Sequence, residues 1–102
     1  MKLIANLSDY ITEEISDAKK YAKCALKYKD EKPELAQLFY TLSTEEMGHM
    51  QRLHSAVAGV IAEYRERNGD PPAVMLALYD REHEKQIDAA AEVYGLQAQY
   101  KG

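Results

Sequence analysis

Apolar residues recur through the chain at alternating intervals of three and four, the spacing that lines up side chains on one face of an α-helix. Leu7, Ile11, Glu14, Ala18, Tyr21, Ala25 and Tyr28 form the first such stripe, in a helix predicted over about residues 8–29. Residues 1–7 read as a short lead-in, with Asn6 or Ser8 as the N-cap. Leu35, Phe39, Leu42, Glu46, His49, Leu53, Ala56 and Val60 form the second stripe, on a helix predicted over about residues 33–67, roughly 50 Å long at 1.5 Å per residue. Leu76, Tyr79, His83, Ile87, Ala90 and Tyr94 form the third, over about residues 72–100. No stretch alternates with the two-residue period of a half-buried strand, so the fold class is all-α.

Two breaks divide these stripes. Asp30-Glu31-Lys32-Pro33 ends the first helix, and Pro33 suits the first position of the next, where its missing N–H does no harm. Asn68-Gly69-Asp70-Pro71-Pro72 is the stronger stop, a glycine after the helix end followed by two prolines. Ser43-Thr44-Glu45-Glu46 resembles a capping box, but the apolar period passes through it without a phase change, so the second helix is read as continuous. Gly48 and Gly59 lie eleven residues apart, about three turns, with Ser55 between them. Glycine within a helix costs about 1 kcal/mol relative to alanine, so two on one side predict the close approach of another helix.

The 102 residues make a single domain, with 46% hydrophobic and 29% charged residues, an ordinary balance for a folded chain. A net charge of -4 argues against a general nucleic-acid binder, which would carry a basic stripe. No apolar run approaches the roughly 20 residues that span a bilayer, and Met1–Ser8 has no secretory pattern. Cys24 is the single cysteine, which excludes an intramolecular disulfide and any Cys-x-x-Cys knuckle. These features point to a cytoplasmic protein with neither membrane nor nucleic acid as partner.

The chemistry lies where the stripes carry the wrong residue type. Glu46 and His49 stand three apart on one helix face and take two slots that call for leucine, and Glu14 does the same on the first helix. A carboxylate or imidazole in a helix seam costs several kcal/mol unless something pairs with it. A buried Glu–His hydrogen bond is one solution. A divalent metal is the other, and mixed oxygen and imidazole donors favour iron, manganese or zinc over calcium. The short connection around Lys32 predicts an antiparallel hairpin. Glu14 lies sixteen residues before Asp30 and Glu46 sixteen after it, so both reach the same height. One hairpin then offers two carboxylates and an imidazole; two hairpins would offer four and two. His83, alone on the apolar face of the third helix, is a further candidate ligand, with Asp80 one turn before it; His54, about 140° round the helix from His49, reads as surface.

This set resembles the ferritin-like di-iron carboxylate bundle, in which two helices each give a Glu and two others each give a Glu-x-x-His. The likeness runs from about Asn6 to Tyr64 and is closest to the rubrerythrin branch, where the first-helix Glu is followed seven residues later by a Tyr, as in Glu14…Tyr21. Ser43-Thr44-Glu45-Glu46-Met47-Gly48-His49-Met50-Gln51-Arg52-Leu53 is similar to the rubrerythrin second helix: an acidic run, Glu-x-x-His, then a basic residue and Leu. The chain departs from a full member in having one clear Glu-x-x-His run, a single helix after it, and no rubredoxin-type cysteine pairs.

The resemblance implies a ferritin-like hairpin plus a third long helix, the four-helix bundle being completed by dimerisation, as in half-length proteins of the encapsulated-ferritin kind. It implies two irons per dimer, with manganese or zinc as alternatives, held by Glu14, Glu46 and His49 of each chain, and ferroxidase or peroxidase-type oxidoreductase chemistry. Tyr21 would then bond a ligand carboxylate or pass an electron; otherwise it is an ordinary core tyrosine. The third helix would pack against the dimer, drive higher assembly, or close a three-helix bundle in one subunit and leave the site half built. The competing reading is a non-catalytic helical assembly or partner-binding module that keeps these residues as a polar network or a structural metal staple.

Overall fold

The computed structural model describes residues 2–102 and consists of three long helices, α1 (Lys2–Tyr28), α2 (Pro33–Asn68) and α3 (Ala73–Lys101). They form a rod of 56 × 19 × 18 Å. α1 and α2 make the antiparallel hairpin. α3 returns parallel to α1, its Gln86 opposite Ser8 and its Glu92 opposite Lys19. Among the described residues no helix is long and apolar enough to cross a membrane.

The helix ends follow local chemistry. Pro33 opens α2, and the Lys32 carbonyl accepts from the N–H of Ala36 at 2.9 Å. At the far end Gly69 takes φ 78° and donates its N–H to the Arg65 carbonyl at 3.0 Å, a left-handed step that favours glycine. The start of α1 differs from the sequence expectation. Lys2–Leu7 is helical, because Ile4 extends the apolar period into the core and Ser8 is buried inside the bundle instead of capping an end.

The phase of burial also differs from expectation, and the reason bears on the site. On α1 the buried positions are Ile4, Ser8, Ile11, Ile15, Ala18, Ala22 and Ala25, a broad band that meets α2 on one side and α3 on the other. Leu7, Glu14, Tyr21 and Tyr28 sit half-buried at its edge. On α2 the buried positions are Ala36, Ser43, Met47 and Val57, whereas Leu35, Phe39, Leu42, Glu46 and Leu53 are half-buried and His49 and Ala56 exposed. Small residues line the closest approach, and the larger apolar side chains are left along an open face of the hairpin. On α3 the fully buried residues are Gln86, Val93 and Gln97, with Ile87 and Tyr94 exposed.

Polar ties fix α3 to the hairpin. Ser43 donates its hydroxyl to the Ala18 carbonyl at 2.7 Å and accepts from the Gln97 amide at 2.9 Å, so one side chain joins all three helices. Gln86 Nε2 lies 3.0 Å from the Ser8 carbonyl, 3.1 Å from its Oγ and 3.2 Å from Thr12 Oγ1. Buried amides satisfied in this way set register, since a slip would strand them. α3 therefore closes a three-helix bundle within one chain. The close helix contact expected at Gly48 and Gly59 is absent within the chain, where a Cβ at either position would meet nothing within 4 Å.

Candidate metal centre

Glu14 on α1 and Glu46 and His49 on α2 converge at one height of the hairpin, as its symmetry about Asp30 requires. One ligand atom from each of the three lies within 4.8 Å of the others. His49 Nδ1 is 3.3 Å from Glu14 Oε2 and 3.8 Å from Glu46 Oε1. The carboxylates are mostly covered, at 25% and 20% side-chain exposure, while the imidazole is 48% exposed. The cluster sits at the hairpin surface with its protein walls on one side, and α3 is bonded elsewhere, to Ser8, Thr12 and Ser43.

The electrostatics make this an acceptor set for a cation. With protein groups alone, the Glu46 carboxyl is pushed up to about 7 from the ordinary 4.5. Its hydrogen bond with Glu14 is the largest cause, followed by burial and then the Glu14 charge; Asp17 adds to the push and His49 opposes it. Two carboxylates this close share a proton because both cannot hold their charge at low cost. A divalent cation would take the place of that proton and relieve the repulsion, so the donor set fits a metal of the oxygen-and-imidazole class.

The other candidates fall differently. Tyr21 stacks on Phe39 with ring centroids 6.2 Å apart, and among the described residues its hydroxyl makes no hydrogen bond to either carboxylate. His83 stands outside the cluster, stacked between His54 at 4.8 Å and Tyr79 at 5.7 Å. Asp80, its proposed companion, is exposed. His54 is half-buried through that stacking instead of lying free on the surface. Asp17, three residues after Glu14 on the same face of α1, adds a further negative charge to the cluster, a spacing visible in the sequence.

A family model described as Rubrerythrin matches residues 5–94 of the chain. The chain belongs to the rubrerythrin family. No curated protein and no solved structure is similar enough to add to this. The rubrerythrin match extends past the hairpin, where the sequence likeness was drawn, and takes in most of α3. It covers Glu14, Tyr21, Glu46 and His49 together. The rubrerythrin hairpin is thus present with its three candidate ligands on one open face.

Proposed function

We propose that two chains dock hairpin to hairpin and together hold a pair of iron ions, giving a ferritin-like di-iron protein with ferroxidase or peroxidase-type activity. The observation that carries this reading is the convergence of Glu14, Glu46 and His49 within 4.8 Å on a face that the chain's own third helix leaves open. Apolar surface flanks them. Tyr10 lies one turn before Glu14, and Leu38 three turns before His49; they are 49% and 51% exposed. Half-buried Leu42 and Leu53 continue the strip. A second hairpin placed there would cover it and bring the ligand count to four carboxylates and two imidazoles.

Iron, when bound, supplies one-electron redox chemistry. The chain supplies the rest. Glu14 and Glu46 bring the negative charge that makes burying cations tolerable, and they release the proton they otherwise share. His49 brings a neutral nitrogen donor, oriented by its contact with Glu14. Tyr21 and Phe39 stack on each other about two turns along the hairpin from Glu14 and Glu46. Manganese or zinc would be held by the same atoms without the same redox reach.

The test is a ferrous titration in the presence of dioxygen, followed by optical absorbance, with Glu46→Ala and His49→Ala alongside. Two irons taken up per two chains, and lost in both variants, is the expected result. Wild-type protein that takes up no iron, or variants that load as the wild type does, would overturn the reading.

A further inference from the structure

We propose that His54 and His83 form a second metal site, for a divalent ion of the zinc and copper kind, that clasps α2 to α3. The proposal does not depend on the di-iron reading. His54 projects from α2 about 140° round from His49, into a groove of about 360 Å³ between α2 and α3. Ile11 and Ile15 are its apolar floor, and His54 and His83 stand in its walls.

Three observations point to a ligand there. First, His83 Nδ1 is buried and has no hydrogen-bond partner, the one such side-chain atom among the described residues. A buried polar atom of this kind calls for a water, an ion or a functional role. Second, the imidazoles come from different helices with centroids 4.8 Å apart. With zinc–nitrogen bonds of about 2.0–2.1 Å, two imidazoles on one tetrahedral ion have centroids about 5 Å apart. The centroid separation is therefore compatible with a shared ion, and binding would turn the rings from their present 19° interplanar angle so that one nitrogen of each faces it. Third, no carboxylate of the described residues lies within 4.0 Å of either imidazole, and the groove lining contains no acid. A nitrogen-only protein set selects zinc, copper or nickel over manganese or magnesium. The open side of the groove leaves room for water to complete the coordination.

Calorimetric titration with zinc chloride tests this in a Glu46→Gln/His49→Gln background, which disables the hairpin site. One zinc per chain should remain in that background, with a rise in melting temperature, and adding His83→Phe should weaken binding at least about tenfold while the ring keeps its place in the stack. No zinc bound in the background protein, or undiminished binding with His83→Phe, would overturn the proposal. Should the triple variant lose its helical circular dichroism, proton NMR of the folded Glu46→Gln/His49→Gln protein decides. Substoichiometric copper should then broaden the ring protons of His54 and His83, and sharp, unshifted His54 and His83 signals would contradict the site.

Discussion

Replacing Glu46 by Gln removes the proton that the two carboxylates share and should change how stability depends on pH. In the folded protein the Glu46 carboxyl titrates at about 7, against an ordinary 4.5. Because the folded value lies above the unfolded one, the protonated carboxyl favours the fold. That stabilisation is complete below about 4.5 and is lost as pH rises through about 7. The full difference corresponds to about 3 kcal/mol. Solvent reaches Glu46, whose side chain keeps 20% exposure, and screening reduces the figure to about 1–2 kcal/mol. Metal-stripped Glu46→Gln should therefore be the more stable protein at pH 8, melting roughly 5–10 °C higher for a domain of this size. The gap should close as pH falls toward 4.5. Urea unfolding of both proteins from pH 4.5 to 8 reads the effect, and the acids not in contact with Glu46 cancel in the comparison. A ferrous or zinc salt should reverse the ranking, since a neutral amide is the poorer ligand. Parallel pH curves for the two proteins would refute the shared proton and, with it, the close pairing of Glu14 and Glu46.

Ser43→Ala should cost about 1–3 kcal/mol in urea unfolding, because it strands the buried Gln97 amide while leaving little cavity. Tyr21→Phe should change stability by less than about 0.5 kcal/mol and leave iron loading intact, as the hydroxyl has no hydrogen-bond partner among the described residues; lost loading would restore a role for it near the ligands. Leu38→Lys, on the exposed strip of the hairpin, should leave the helical signal unchanged and halve the mass measured by light scattering. An unchanged mass would show that assembly uses another face.

The helices and the depth of the candidate site were legible in the sequence because both depend on spacing. Pro33 and the Asn68–Pro72 break set the element ends within a residue or two, and counting from Asp30 placed Glu14 level with Glu46. The phase of burial was less legible. Periodicity picks out the largest apolar residues, such as Leu35, Phe39 and Leu42, and these lie on the open side of the hairpin. The helices in fact meet through Ala18, Ala22, Ala25, Ala36 and Ser43, residues that any helix surface could carry. Gln86 and Gln97 carry no local signal of burial, since only a third helix in register gives their amides acceptors. His54 looked like surface for the same reason. Its partner, His83, is 29 residues away, and no local pattern joins them.

The open hairpin face unites these observations: it carries both the three ligand candidates and the exposed apolar strip. Native mass spectrometry of protein purified without added metal tests it most directly. The expected species is an even number of chains carrying one iron per chain, which falls to metal-free protein with Glu14→Ala. A metal-free monomer that stays monomeric and empty when ferrous iron is supplied would contradict the central claim.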